Sequence, residues 1–415
     1  MPAATASVLK TRLSNVLRAS ESLEFKFRFL VTPFRPIDER VWTRQEANWS
    51  FAFHGAQNNP YINYPFIALQ TLRDYCETEK ESGRRALVYY TCGQLSTFAA
   101  ELWALRSLGS EVINRGETMI YYADKATIHK GPGGFPWLQE HLVSNYTPGW
   151  RQPLPGGETD PAIGLTGSSR WHNYYCQGMD WLMKNTGVGG LYLDGIGYDR
   201  VTMQRIARIL YANDPKGYVM SHGGNNYDWA DYRVNTANQH MEHMPYLGML
   251  WFGEGFSYNA PPDFWLTEIS GIPYGNGGMM LDYENGGNQW RGMLYGMTGT
   301  WNKAQASLVK LWGEFGIKDA ERLGYWSKRC PVETGSKDVL ATAYVKKDKT
   351  LISLASWANE TTNIDLDIDW EAVGLDKSKA RLIAPPVEGF QEGRSFAVGE
   401  PIPVEPAKGW LIIVE

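Results

Sequence analysis

The chain has 415 residues, of which 40 are basic and 45 acidic, and its formal net charge is -5 at pH 7. This length exceeds what one compact core usually holds, so it predicts one large domain and a smaller one. The opposite charges are intermingled without a block of one sign, which argues against a nucleic acid or an anionic membrane as partner.

The first 30 residues are predicted to form a helix and a strand. They either begin the main domain or are the remnant of a further N-terminal domain. The opening stretch "MPAATASVLKTRLSNVLRAS" has neither a continuous apolar core nor a clear cleavage site, so it does not resemble a secretory signal. No apolar stretch approaches the roughly 20 residues that a membrane helix needs. The compartment and the oligomeric state stay open.

Residues 31–327 are predicted to form a (β/α)₈ TIM barrel, an α/β fold. Short apolar runs alternate there with amphipathic stretches, as in β/α units. The runs are almost continuously apolar, which is typical of parallel strands buried on both faces. Helical periods occupy residues 97–109 and 199–213. The predicted strands lie at residues 49–55, 86–91, 118–123, 189–195, 217–223, 248–254 and 271–282.

The character of the sequence changes near residue 328. From there to residue 415, apolar and polar residues alternate with period two, and Gly and Pro separate the short runs. This pattern predicts a C-terminal antiparallel β-sandwich.

Polar side chains follow several of the predicted barrel strands. In a TIM barrel these positions converge on one mouth, where the active sites of this fold lie. Two of the residues, Asp194 and Glu254, are carboxylates with aromatic neighbours. A pair of carboxylates facing one bond is what glycoside hydrolysis requires. The full set of polar strand ends is His54, Thr91, Asp194, His222, Glu254 and Asp282.

Asp194 and Glu254 are the predicted catalytic pair. Asp194 ends the apolar run of "GGLYLDGIGYDR", which suits a nucleophile or a charge stabiliser, whereas Asp199 precedes a helical period and is predicted to cap it. Glu254 lies among aromatic residues in "LWFGEGFSYN", and such surroundings raise a carboxyl pKa, as a general acid needs. Glu242 is the rival; it could instead contact a sugar hydroxyl or pair with a neighbouring histidine.

Aromatic and amide side chains in the loops are predicted to bind a sugar. The chain contains 17 Trp and 23 Tyr, and their flat amphipathic rings suit sugar faces. Three segments rich in polar and aromatic residues lie directly before or after predicted strands. They occupy residues 54–66, 168–182 and 221–228. The predicted substrate-binding residues are His54, Trp171, Asn173, His222, Glu242, Trp251 and Asp282.

Other chemistries lack their motifs. The sequence contains no GxGxxG after a strand, no Walker A loop, no GxSxG elbow and no HExxH. The four cysteines are widely spaced, and "HMEHM" has no third ligand in view, so neither predicts a zinc site. No metal and no cofactor are predicted.

Three segments resemble the large bacterial proteins grouped near glycoside hydrolase family 123: "VYYTCGQLSTFAAELWALRSLG", "SRWHNYYCQGMDWL" leading into "GGLYLDGIGYDR", and "GYWSKRCPV". The resemblance covers the chain from about residue 25 onward. It implies a barrel flanked by sandwiches that acts on a glycan. Enzymes of this family resemble substrate-assisted hexosaminidases, which use an adjacent Asp-Glu pair beside a 2-acetamido sugar. Here the pair Asp38-Glu39 lies at the entry to the barrel and not at a strand end.

The sequence therefore predicts an exo-acting, retaining glycoside hydrolase. In this prediction Asp194 attacks the anomeric carbon, while Glu254 protonates the leaving oxygen and later activates water. Two alternatives stay open: a substrate-assisted β-N-acetylhexosaminidase in which Asp194 only orients the acetamido group, and a barrel that binds glycan without cleaving it. Sugar, linkage and anomeric preference are not determined.

Overall fold

A computed structural model describes most of the chain from Trp49 onward. The described residues are 49–91, 94–112, 150–154, 156–165, 170–194, 199–223, 241–252, 258–280, 287–297 and 303–415. The predicted N-terminal elements at residues 1–30 and the predicted strand at 118–123 lie outside them.

A parallel sheet forms the wall of the barrel. The strands of this domain are β1 (Trp49–Ala52), β2 (Arg85–Thr91), β3 (Gln94–Ser96), β4 (Trp150–Pro153), β5 (Thr159–Gly164), β6 (Gly190–Asp194), β7 (Tyr218–Gly223), β8 (Met249–Phe252) and β9 (Gly277–Met280). The wall has the order β1-β2-β6-β7-β8-β9, and every neighbouring pair in it is parallel. β3, β5 and β4 form a separate antiparallel sheet. The predicted TIM-barrel fold is confirmed.

In the described wall the strand that ends at Asp194 is the direct neighbour of β2, whereas the order of apolar runs predicted one further strand between them. β2 pairs directly with β6, with Leu87 opposite Gly190 and Thr91 opposite Asp194. Because β6 takes the hydrogen bonds along that edge of β2, no other strand lies between the two. The last predicted strand is also shorter, since residues 272–274 form a 3₁₀ turn before β9.

The main helices of this part of the chain share the larger hydrophobic core with the outer face of the wall. They are α1 (Leu69–Glu81), α2 (Leu102–Arg106), α3 (Trp171–Thr186), α4 (Arg200–Asn213), α5 (Gln289–Leu294) and α6 (Lys303–Phe315). The predicted helix at 199–213 is confirmed, and so is its cap: the Asp199 carboxylate accepts hydrogen bonds from the N–H groups of Val201 and Thr202. The predicted helix at 97–109 is reduced to the five residues of α2.

Side chains alternate between the two faces of the wall. Outward residues such as Val88, Tyr90 and Leu193 are buried in the larger core, together with residues of the helices. Inward residues such as Tyr89 and Tyr192 belong to a separate inner cluster, which is rich in aromatic rings and Met. The inner cluster fills the barrel below the mouth.

The C-terminal domain is an antiparallel β-sandwich, as predicted. Its strands are β10 (Glu321–Leu323), β11 (Val332–Glu333), β12 (Val339–Val345), β13 (Thr350–Ser356), β14 (Thr362–Ile364), β15 (Asp367–Ile368), β16 (Leu382–Ala384), β17 (Arg394–Phe396), β18 (Ile402–Val404) and β19 (Gly409–Val414). One sheet has the order β10-β12-β13-β19-β16-β17, and the pairs β11-β15 and β14-β18 lie apart from it. Alternating apolar residues of these strands form a core of their own.

A buried arginine joins the two domains. Arg291 on α5 is 5% exposed. Its guanidinium donates to the carbonyl oxygen of Ser356 at 3.0 and 3.1 Å and to that of Tyr258 at 2.7 Å. It also lies 4.7 Å from the ring centroid of Trp357.

In the part of the chain that the structure describes, no helix has the length and apolar character needed to cross a membrane.

Candidate active site

One row of the sheet carries the polar residues of the barrel mouth. The strand register places Thr91, Asp194, His222, Trp251 and Met279 side by side on β2, β6, β7, β8 and β9. The row lies at or near the carboxyl ends of these strands. Since side chains alternate along a strand, neighbours in one row point to the same face. Register therefore brings together four of the residues that the sequence predicted separately, namely Thr91, Asp194, His222 and Trp251.

Asp194 is held by two hydrogen bonds, one to each carboxylate oxygen. The hydroxyl of Tyr89 donates to Oδ2 at 2.5 Å, and Nδ1 of His222 lies 2.9 Å from Oδ1. Burial raises the pKa of this carboxyl, but the hydrogen bonds and the nearby imidazole charge outweigh it, so the pKa lies below its usual value. The side chain is 30% exposed. Asp194 is thus an ionised, oriented carboxylate that solvent can reach.

His54 lies beside this carboxylate. Its ring centroid is 4.2 Å from that of Tyr89. Burial lowers the pKa of His54 to about 4, although the charge of Asp194 opposes the shift. His54 is therefore neutral near pH 7, and it can exchange hydrogen bonds with a ligand without adding charge to the site.

Aromatic rings lie beneath the row and hold it in place. The ring of Trp251 lies 5.6 Å from that of His222 and stacks on Phe51 at 5.7 Å. Tyr192 contacts the same indole at 5.3 Å. Trp251 was predicted to bind substrate, but it is almost fully buried because the inward face of β8 packs against β1 and β6 there. Trp251 supports His222 from below.

The loop after β1 is fastened to the same end of the barrel by Asn63. The side-chain amide of Asn63 donates to the carbonyl of Thr91 at 2.9 Å and accepts from the Thr91 N–H at 2.7 Å. Asn63 is buried and has φ of 54°, a left-handed conformation that non-glycine residues seldom adopt. Such strain persists only where surrounding contacts hold it, and it occurs often at functional sites.

Two predicted sugar-binding residues lie on α3, away from this row. Trp171 is fully buried in the outer core, where its ring packs on Tyr174 and Tyr175. The prediction that Trp171 stacks on a sugar was wrong, because the helix turns this ring inward against its neighbours. Asn173 is exposed and accepts a hydrogen bond from Arg205 on α4 at 2.9 Å. It does not join the row.

The other predicted residues are either elsewhere or not described. Glu242 is exposed and acts electrostatically on Arg200 at the start of α4 and on His243, so it does not belong to the row either. Glu254 and Asp282 lie outside the described residues, each two positions beyond the end of a wall strand, β8 and β9. Their predicted contacts stay predictions.

Tyr89 and Asn63 were not predicted from the sequence. The run "ALVYYT" contains two adjacent tyrosines, and period-two alternation assigns them to opposite faces. Tyr89 and Thr91 share one face, and this signal could have identified Tyr89 as an inward residue. For Asn63 no comparable signal exists, because its contact with Thr91 spans 28 positions of the chain.

Comparison with known proteins identifies the family. The model of the glycoside hydrolase 123 TIM-barrel domain matches residues 26–302, and that of the glycoside hydrolase 123 C-terminal domain matches residues 304–415. The chain belongs to glycoside hydrolase family 123. It is a glycoside hydrolase, and its substrate is a carbohydrate. No protein of curated function matches it in sequence.

Solved structures with the same fold include two amylases. The alpha-amylase from Geobacillus thermoleovorans is 10% identical, with 91% of this chain and 92% of that chain covered and a TM-score of 0.50. The noncanonic maltogenic alpha-amylase AmyB from Thermotoga neapolitana is also 10% identical, with 90% and 93% covered and a TM-score of 0.50. At 10% identity these comparisons show only that the folds are similar. Each fold is a barrel followed by a β domain.

Proposed function

We propose that this family 123 protein is an exo-acting, retaining glycoside hydrolase in which Asp194 is the nucleophile. The observation that carries the proposal is the state of Asp194: ionised, oriented by two hydrogen bonds and accessible at the end of β6. A nucleophilic carboxylate needs all three properties. The rival role, capping the next helix, belongs to Asp199.

Glu254 is the proposed general acid and base. It follows β8, whose neighbour β7 carries His222, and the carboxyl ends of parallel strands face one mouth. Its sequence neighbours Phe252, Phe256 and Trp251 are apolar, and such surroundings keep a carboxyl protonated near neutral pH. In the first step Glu254 gives its proton to the leaving oxygen as Asp194 bonds to the anomeric carbon. In the second it takes a proton from the water that releases the sugar.

A second candidate is a substrate-assisted β-N-acetylhexosaminidase. The same hydrogen bonds that orient Asp194 would let it hold an acetamido N–H while the acetamido oxygen attacks the anomeric carbon. Family membership favours this candidate. Inhibition by a thiazoline analogue of a 2-acetamido sugar supports it, whereas a covalent glycosyl-enzyme trapped on Asp194 by a 2-fluoro sugar supports the first proposal.

The test begins with a screen of glycosyl fluorides of both anomers, with product stereochemistry followed by NMR. We expect retention, and we expect Asp194→Ala and Glu254→Gln to reduce kcat by about 10³-fold or more while folding normally by circular dichroism. Azide should restore turnover in Asp194→Ala with the opposite anomer as product. Near-full activity of Asp194→Ala would overturn the assignment. Net inversion would overturn retention and would predict carboxyls about 6.5 to 9.5 Å apart rather than about 5 to 5.5 Å.

A further inference from the structure

A stacked pair of aromatic rings, one exposed and one half-buried, lies at the rim of the barrel mouth. Tyr61 belongs to the loop after β1 and Phe98 to the segment after β3. Their rings stack with centroids 4.8 Å apart and an angle of 21° between planes. Phe98 is 45% exposed, so much of its ring surface faces solvent. A large exposed ring next to an active site needs an explanation.

A single buried carboxylate holds both ring-bearing segments. Asp160 on β5 is fully buried, and its Oδ2 accepts from the N–H of Ile62 at 2.7 Å while its Oδ1 accepts from the hydroxyl of Ser96 at 2.5 Å. The Ser96 hydroxyl in turn accepts from the N–H of Phe98 at 3.0 Å. The Ser96 N–H donates to the carbonyl of Ile62, also at 3.0 Å. Tyr61 and Phe98 are therefore fixed relative to each other.

This anchoring is costly to the fold. Burial raises the pKa of Asp160 to about 6, although the two hydrogen bonds oppose the shift. A carboxylate in this position is retained against a desolvation penalty, and an apolar contact would have been a simpler way to join two loops. The arrangement keeps the exposed ring of Phe98 and the half-buried ring of Tyr61 in one defined geometry.

The pair also has a defined position relative to Asp194. Two residues after Tyr61, Asn63 is bonded to Thr91, which lies opposite Asp194 in the strand register. Ile62, between them, belongs to the inner cluster of the barrel together with Tyr89. The rings therefore lie on the mouth side of the barrel, at the β1 and β2 edge of the site.

We propose that Tyr61 and Phe98 form a binding platform for the sugar unit on the leaving-group side of the scissile bond. This inference rests on the proposed function, in which an exo-acting enzyme holds one sugar at Asp194 and the remainder of the oligosaccharide extends past the rim. The apolar C–H face of a sugar ring packs on a flat, preordered aromatic surface with little loss of conformational entropy. The platform thus makes the enzyme prefer oligosaccharides to short substrates.

The test compares substrates with and without a ring on the leaving-group side. The panel consists of glycosyl fluorides and tetrasaccharides of glucose, galactose, N-acetylglucosamine and N-acetylgalactosamine. For Phe98→Ala we expect KM for the cleaved tetrasaccharide to rise about tenfold, the size of one aromatic contact, while kcat/KM for the fluoride is unchanged. Phe98→Trp keeps an aromatic ring at this position, so its KM for the tetrasaccharide should equal that of the wild type. Tyr211→Ala is the matched control, since this ring is 72% exposed but lies near the C-terminal end of α4.

Binding measurements keep this test separate from that of the proposed function. Calorimetry on the Asp194→Asn variant, with and without Phe98→Ala, measures tetrasaccharide affinity without turnover. A Kd weakened about tenfold by Phe98→Ala supports the platform even if the catalytic assignment fails. An unchanged Kd and an unchanged KM for the tetrasaccharide overturn the platform and leave the catalytic assignment intact.

Discussion

At the scale of single residues, the protonation of Asp194 depends on its two donors. Burial alone would raise the pKa of this carboxyl and favour its neutral form. Tyr89 and His222 reverse that tendency because each donates to the charged form. His54 contributes less, since burial keeps it neutral above about pH 4. The site therefore presents an anionic carboxylate over the neutral pH range.

Tyr89→Phe tests this account. Removing the donor leaves the burial of Asp194 in place, so its pKa rises and the acid limb of the kcat/KM profile moves to higher pH. Because a hydrogen bond to a charged group is worth about 1.5 to 3 kcal/mol, kcat should fall about 10- to 100-fold near neutral pH. Tyr90→Phe is the matched control, since this ring faces the outer core and packs on Tyr175. A shifted acid limb in the control, or an unshifted one in Tyr89→Phe, would contradict a positioning role.

At the scale of elements, Asp199 has a structural role, because it caps the N-terminus of α4. Asp199 accepts from two backbone N–H groups of the first turn, at 2.8 and 3.1 Å, and from the Thr202 hydroxyl at 2.6 Å. Its other neighbour is the buried His172, whose Nδ1 lies 3.1 Å from the carboxylate. These contacts fix the first turn of the helix that follows β6, which begins six positions after Asp194.

Asp199→Ala should lower the free energy of unfolding by about 1 to 2 kcal/mol, because the first-turn N–H groups lose their acceptor. Asp199→Ser keeps a capping oxygen but loses the contact with His172, so it should cost less. Urea denaturation followed by circular dichroism measures both. If the alanine variant is as stable as the parent, the cap does not stabilise this helix.

At the scale of the whole molecule, the barrel and the sandwich share a buried polar interface. Besides the contacts of Arg291, the hydroxyl of Thr342 donates to the carbonyl of Leu294 at 2.9 Å, and the indole of Trp357 donates to that of Ala260 at 2.8 Å. The larger core extends across the interface, since it includes Tyr344 of the sandwich. The C-terminal domain thus contacts and stabilises α5, the helix that follows the last described wall strand.

Arg291→Met should lower the free energy of unfolding by about 3 kcal/mol, because three hydrogen bonds to buried carbonyls lose a charged donor. Arg329→Met is the control, since its ion pair with Glu321 at 2.7 Å is exposed on both sides and should be worth less than about 1 kcal/mol. Scanning calorimetry gives both values. Equal destabilisation by the two substitutions would show that Arg291 does not couple the domains.

The sequence by itself determined the class of fold, most of the wall strands and the ionisable residue at the end of β6. Apolar runs followed by helical periods are local signals, and the residue after such a run is read directly. The cap at Asp199 was predictable for the same reason, because its partners lie two and three positions away.

Only the tertiary structure decided which residues meet. Strand register places His222 beside Asp194 across 28 positions, and Tyr89 donates to it across 105. Hydrogen bonds between strands select these neighbours, and the sequence of each strand alone does not state its partner. The same holds for Trp171 and Trp251, whose rings look equally suited to sugar in the sequence. Packing against neighbouring elements buries both, and the exposed ring of Phe98, held through Asp160, lies at the mouth instead.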